Sequence, residues 1–413
     1  MPVEVVARPP TIPSKWDIIP IHGSDVASFK RCRRYWDWTS PARNNLRRKV
    51  EIYGINFPLW FGTGIHYALE MYYDPILQRD PVEAFSTWYE FQWNGGIVGE
   101  EWLDRTYDIH PQLLHVETNR YPEYQIRGLR ELLPLVDPDE FELHRQLGIG
   151  MLTFYKDWAL ANDDFVTVAA ESMYSIPLGF QAVDRRENSP NFGSLLEVHA
   201  RGKRDAVIYF PDFDKFGIND HKTAIRIDDA YFKKLEKDEQ CSNYLWATIQ
   251  EAKLYDLPWK DAVVDRVLYT ALRKNYPKPP TVLQSGFLSL DKQKEGTNAK
   301  LFEDAVNGNP KLEDWFRNNE KAQNYYSHLC AQGDSLFVQR DPVTRNAHEI
   351  AATGAHLAMV AKEMLAPDLP IYPNPTGEFR CIECAFRNPC IAADDGSDWI
   401  GMLSDSYEVN RDR

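Results

Sequence analysis

Four β-rich runs separated by turn-prone segments constrain this chain more than any other feature. They read "FVTVAAESMYSIPLGF" (165–180), "GSLLEVHARGKRDAVIYF" (193–210), "KFGINDHKTA" (215–224) and "AVVDRVLYTAL" (262–272). Segments such as "RRENSPN" and "PDFDK" punctuate them, and Pro, Asn and Asp between apolar runs mark turns. A long helical candidate, "DDAYFKKLEKDEQCSNYLWATIQEAKLYD" (228–256), lies between the third and fourth. Residues 62–78 place Ile65, Leu69, Tyr72 and Ile76 at helical spacing behind a glycine-rich entry. The stretches 80–162 and beyond 300 also read as helical, the latter until "PDLPIYPNPTGEF" breaks it. The expected fold is mixed α/β: a core at 163–295, with helical N-terminal (1–162) and C-terminal (296–413) extensions.

With 413 residues, 43% of them hydrophobic, the chain can bury one elaborated domain or two to three ordinary ones. No apolar run approaches transmembrane length. The opening "MPVEVVARPPTIPSKWDIIP" lacks a basic region followed by an apolar core. A cytoplasmic location is therefore expected, in which the six cysteines are thiols or metal ligands, not disulfides. A net charge of −14 argues on its face against a nucleic-acid partner, but local patches do the gripping. Residues 30–49, "KRCRRYWDWTSPARNNLRRK", carry eight Lys or Arg against one Asp. Arg31, Arg33 and Arg34 beside Tyr35 and Trp36 are candidate contacts to single-stranded DNA. The alternative is a solvated helix face with buried aromatics.

The third run ends in an acid two places before a lysine. Residues i and i+2 of a strand share a face, so Asp220 and Lys222 project side by side while His221 points away. Asp205 lies on the preceding run, and a turn at "PDFDK" makes the two an antiparallel pair. Both acids then end near one edge, where they can share a divalent cation. Carboxylate oxygens suit Mg²⁺ or Mn²⁺, which polarise a phosphoryl oxygen and lower the pKa of a bound water. An adjacent lysine orients that water or offsets charge developing on the phosphate. Taken singly, each acid is more often a solvent-facing residue.

"GKRD" (Gly202 to Asp205) followed by "DHKT" resembles motifs II and III of the RecB-like branch of the PD-(D/E)XK nucleases. "GTGIHYALE" supplies the upstream Gly62 and His66 of that branch, and "QCSNY" its Gln240 and Tyr244, which helical spacing puts on one face. The resemblance implies a restriction-endonuclease-like core sheet flanked by helices. It implies His66, Asp205 and Asp220 as ligands of Mg²⁺ or Mn²⁺, Lys222 as the catalytic lysine, and Gln240 and Tyr244 as site-organising groups. Glu171 matches an acid often found on the preceding strand, with a structural partner as the alternative. Glu70, one turn after His66, is either a group that orients the imidazole or a solvated residue. Histidine at 221 stands where the branch often has tyrosine.

"CIECAFRNPC" spaces Cys381, Cys384 and Cys390 as C-x2-C-x5-C, and Cys32 lies near the other end of the chain. One cysteine before the core and three after it resembles the iron–sulfur-stapled RecB-like nucleases, which include the CRISPR-associated exonucleases. That resemblance implies a structural 4Fe–4S cluster on four thiolates, with zinc as the alternative. Such a site would clip the two ends of the fold, opposing a closure cost of roughly 5 kcal/mol for a loop of about 350 residues. Cys241 and Cys330 are left over and read as buried thiols. No G-x-x-x-x-G-K-[ST] phosphate loop is present, so a separate helicase or recombination factor is the expected class of partner, with no membrane. The expectation is a metal-dependent DNA exonuclease or end-processing nuclease acting on single strands or duplex ends. The competing classes are a non-catalytic nucleic-acid-binding or assembly subunit and a zinc-stabilised structural protein.

Overall fold

The computed structural model of the protein describes residues 13–49, 57–99, 123–127, 137–186, 189–257, 259–291, 296–374 and 381–410. Its strands are β1 (Ile18–His22), β2 (Leu46–Arg48), β3 (Gly95–Gly99), β4 (Glu123–Arg127), β5 (Val166–Val183), β6 (Leu195–Phe210), β7 (Lys215–Ala224), β8 (Val264–Arg273), β9 (Val338–Thr344) and β10 (Tyr407–Val409). The first helices are α1 (Gly23–Arg31), α2 (Arg33–Thr39), α3 (Phe57–Tyr73), α4 (Pro81–Asn94) and α5 (Pro138–Asn162). After the strands begin come α6 (Asp229–Lys233) and α7 (Glu239–Leu254), then α8 (Ala299–Val306), α9 (Pro310–Arg317), α10 (Glu320–Gln332) and α11 (Ala347–Met364). α12 (Arg387–Asp395) and α13 (Trp399–Ser406) are the last described helices, before β10.

Six strands form one mixed sheet in the order β1-β6-β7-β8-β9, with β5 also paired to β6. The expected antiparallel pairing of β6 with β7 is present, joined by the turn after Phe210. β7 and β8 are parallel, as the intervening α7 crossover permits. Two strands come from outside the 163–295 core. β1 runs parallel to β6, and β9 antiparallel to β8. Neither carried a hairpin signal: β1 is five residues long, and β9, "VQRDPVT", is polar and contains Pro342. Proline is tolerated there because β9 is an edge strand.

β6 is shared in a way that opens the sheet. β1 pairs with its first half, ending at His22–Arg201, and β7 with its second half, beginning at Ala206–Asn219. Gly202 to Asp205, the "GKRD" tetrapeptide, falls between the two partners. β7 leaves β6 there while staying paired with β8 as far as Ala224–Arg273. A cleft follows from topology alone. Gly202 is required in it, since a Cβ would lie 2.4 Å from the Tyr174 hydroxyl.

Three helical expectations are corrected. α3 begins at Phe57 and ends at Tyr73, so the glycines lie inside it. Gly64 is there for close packing, because its Cβ would sit 2.4 Å from the Trp88 ring on α4. The single helix expected at 228–256 breaks into α6, a 3₁₀ turn at Lys234–Lys237 and α7. Asp238 ends the turn by accepting the Cys241 N–H as N-cap of α7, a stronger local preference than continued helix. Between α4 and α5, β3 and β4 form an antiparallel pair where helix was expected; 100–122 and 128–136 lie outside the described residues.

Two buried clusters sandwich the sheet. On one side Ile176, Val198, Ile218 and Val267 pack with Leu245 and Ala247 of α7 and Ala361 of α11. On the other, Phe61, Ile65 and Leu69 of α3 meet Phe85 and Tyr89 of α4 and Leu152 and Tyr155 of α5. α8 to α10, inserted between β8 and β9, form a third cluster around Phe302 and Tyr325. The chain ends meet as well: β10 pairs with β2, and Trp38, Phe386 and Tyr407 share a buried cluster.

Candidate active site

The cleft beside "GKRD" gathers the charged residues. Asp205 lies one step beyond the Ala206–Asn219 pair, so it faces the departing β7. With no ladder partner at this point, the His221 backbone N–H donates instead to Asp205 Oδ2 at 2.7 Å. His66 on α3 brings Nδ1 to 3.3 Å from the same oxygen. Glu171 on β5 has φ +47°, a left-handed conformation that a non-glycine residue adopts rarely and at a cost of about 1–3 kcal/mol. Ligand atoms of His66, Glu171 and Asp205 all lie within 4.8 Å of one another. Among the described residues, no other three His, Cys, Asp or Glu side chains do so.

Asp220 and Lys222 stand side by side as expected, Nζ to Oδ1 at 2.7 Å. The Asp220 side chain is 1% exposed, and its Oδ2 has no hydrogen-bond partner. A buried carboxylate oxygen without a donor is costly and is what a cation would satisfy. Burial, reinforced by Asp205, pushes the Asp220 carboxyl up to about 6 against the pull of Lys222. Burial would also raise Asp205, but His66, the His221 hydrogen bond and Lys222 hold it well below the ordinary carboxylate range. Burial would lower Lys222, yet Asp220 and Asp205 keep it above the ordinary lysine value. Asp205 is thus favoured as the carboxylate, Asp220 takes a proton more readily than an ordinary acid, and the lysine is favoured as the cation. This donor set of carboxylate oxygens and one imidazole fits Mg²⁺ or Mn²⁺.

α7 completes the wall. Gln240 Nε2 donates to the Tyr244 hydroxyl at 2.7 Å. Burial, then the charges of Asp220 and Asp205, raise Tyr244 well above the ordinary phenol value. Their hydrogen bond puts the two on one face of α7, with Tyr244 near enough to Asp220 and Asp205 to feel their charge.

Several residues singled out in the sequence are placed differently. Glu171, an accessory candidate, joins His66 and Asp205 more closely than Asp220 does. Glu70 is buried, at 4% exposure, and not solvated. Cys241 is buried as expected, but Cys330 is exposed. In the basic segment, Arg33 pairs with Glu363, and Arg34 with Asp394 at 2.7 Å. Arg31 lies over the Tyr35 ring, which packs edge-on against Phe386. Trp36 is wholly buried against Phe29, so its ring cannot stack on a base. These aromatics are packing residues on a helix face.

Near the other cysteines, Cys32 Sγ accepts the Asn374 N–H at 3.4 Å, and Cys390 Sγ accepts from Arg34 at 3.4 Å. Burial pushes the Cys390 thiol up, with Cys32 near enough to contribute. Cys384 packs against the Trp38 cluster, and Cys381 is exposed.

Residues that sequence reasoning missed lie behind the site. The His221 ring stacks on Tyr73 at 5.2 Å but does not turn fully away as expected, since its Nδ1 lies 3.7 Å from Asp205 Oδ2. Its Nε2 bonds the Tyr155 hydroxyl at 3.0 Å and lies 3.2 Å from Asn219 Nδ2. Tyr73 bonds Tyr155 at 2.7 Å and Asp163 at 2.8 Å. Thr270 donates to Asn219, and Arg340 ties Thr270 to Asp163. Lys203, inside "GKRD", pairs with Glu171, and the buried Arg204 with Glu251.

A mixed sheet split at an acid, with an Asp-x-Lys on the departing strand, defines a metal-dependent nuclease core. The sequence profile of the PD-(D/E)XK nuclease superfamily matches residues 23–391. The chain belongs to that superfamily, whose membership implies a nuclease that acts on nucleic acid with divalent metal. No curated protein matches the chain. No described helix is long and apolar enough to cross a membrane.

Proposed function

We propose that this chain is a deoxyribonuclease of the RecB-like kind, an exonuclease or end-processing enzyme for single-stranded DNA or DNA ends, stapled by a 4Fe–4S cluster. The observation that carries the nuclease reading is the unpartnered, buried Oδ2 of Asp220 beside the His66, Glu171 and Asp205 group. Mg²⁺ or Mn²⁺ held by these four residues would polarise a phosphoryl oxygen and acidify a bound water. Lys222, held protonated by two carboxylates, supplies positive charge to the phosphate and does not serve as the base. Gln240 and Tyr244 offer neutral donors from the α7 wall.

Support for the staple is the meeting of the chain ends at cysteine. Cys32 and Cys390 each accept an N–H, the kind of hydrogen bond that tunes cluster sulfurs. Anaerobic purification tests the staple: visible absorption and iron and sulfide content should be lost in Cys384→Ser, and zinc alone would contradict it. Linear against circular single-stranded DNA tests the exonuclease reading, since degradation of circles would make it an endonuclease.

A further inference from the structure

Beyond Lys222, the cleft has a lip whose charge opposes that of the whole chain. β7 and β8 leave the sheet together: Ala224 pairs with Arg273, and the Lys274 N–H donates to the Ala224 carbonyl at 2.7 Å. Four cations lie on these exits, Arg226, Arg273, Lys274 and Lys278. Arg273 donates to the carbonyls of Ile225 and Leu336 at 3.3 and 3.5 Å. Lys274 donates to that of Pro58, at the start of α3, at 3.1 Å. Carbonyls fix these side chains in place without cancelling their charge.

Lys278 holds its ammonium 4.6 Å from the centre of the Tyr276 ring, which leaves its charge in place. Among the described residues, the one carboxylate paired with any of the four is Asp228, 2.5 Å from Arg226, whose side chain is 83% exposed. The N-terminal basic segment is the contrast: Lys30, Arg33 and Arg34 are each paired with an acid. Two strand residues rise about 7 Å, against about 3.4 Å of axial rise per phosphate for one strand of a duplex and more for an extended single strand. The lip therefore begins within a few phosphates of Lys222.

We propose that Arg226, Arg273, Lys274 and Lys278 form the track that holds the backbone phosphates of single-stranded DNA beside the cleft. The proposal rests on the nuclease reading above, and it moves the substrate contact from the N-terminal segment to this lip. Phosphates are gripped without regard to sequence, so the track takes any base.

The test is fluorescence anisotropy of the full chain with labelled oligo(dT) of about 20 nucleotides, in EDTA, across a range of salt. Combining Arg226→Gln, Lys274→Gln and Lys278→Gln should reduce the slope of log K against log salt by about 2, at about 0.7 for each phosphate no longer neutralised. The pair Arg226→Gln and Lys278→Gln alters exposed side chains alone, so its fold is safe, and its slope should fall by about 1.4. Arg31→Gln should leave the slope unchanged. An oligo(dA) probe should show the same reductions. Slopes unchanged in both lip variants, or reduced in Arg31→Gln instead, overturn the track and leave the nuclease reading standing. A wild-type chain that binds no DNA at any salt defeats the nuclease reading, and the track with it.

Discussion

The backbone N–H of His221 donates to Oδ2 of Asp205 at 2.7 Å, so a side chain closes the sheet where the ladder ends. The same oxygen lies 3.3 Å from His66 Nδ1. One carboxylate thus terminates a strand pairing and opens a ligand set. Asp205→Asn keeps a carbonyl oxygen for the His221 N–H and loses the charge. It should unfold within about 1 kcal/mol of wild type by urea denaturation, while cleavage falls at least about a hundredfold.

His221 braces this arrangement from behind. Replacing it with alanine removes one of the hydrogen-bond partners of the Tyr155 hydroxyl and opens a cavity beside Tyr73. His221→Ala should lower stability by about 2–4 kcal/mol. Because its ring Nδ1 also lies 3.7 Å from Asp205 Oδ2, Mn²⁺ affinity measured by calorimetry should also drop about 10–100-fold, as for other groups that orient ligands. Unchanged affinity in a destabilised protein would limit His221 to packing.

Proton and metal compete at Asp220. Its carboxyl sits at about 6 in the metal-free protein, above the unfolded value near 3.9, so the native state binds the proton more tightly. Ionised Asp220 therefore costs stability as pH rises through about 6, and a cation removes that cost. Manganese at fixed concentration should raise Tm more at pH 8 than at pH 5, with affinity falling towards tenfold per unit below about pH 6. A shift independent of pH would place the ion away from Asp220.

Gly202 was legible as part of a motif, but its reason was not. Its Cβ would meet the Tyr174 hydroxyl at 2.4 Å, an approach across strands that no local pattern encodes. Gly202→Ala should cost about 1–3 kcal/mol by overpacking, and the double variant with Tyr174→Phe should recover part of it in urea denaturation.

The four central strands and the pairing of Asp220 with Lys222 could be read from the sequence because period and turn chemistry are local. Motif order carried His66, Asp205, Gln240 and Tyr244 to one cleft, where spacing alone could not. What stayed hidden depends on partners far along the chain. β1 and β9 have no signal until β6 and β8 receive them. Arg340 matters only once it reaches Thr270 and Asp163. Glu171 gains its place through a backbone conformation that its residue type disfavours. The acid partners of the basic segment were not legible, because Glu239, Glu363 and Asp394 lie at least 200 residues away.

The activity proposed for the His66, Glu171, Asp205, Asp220 and Lys222 cleft is cleavage of DNA with a divalent metal. Its most direct measurement is a time course on end-labelled single-stranded DNA with Mn²⁺, for wild type and Lys222→Ala. Shortening should stop on adding EDTA and fall at least about a hundredfold in the variant. Equal cleavage by both proteins, or none by a folded wild type that binds the DNA, would contradict it.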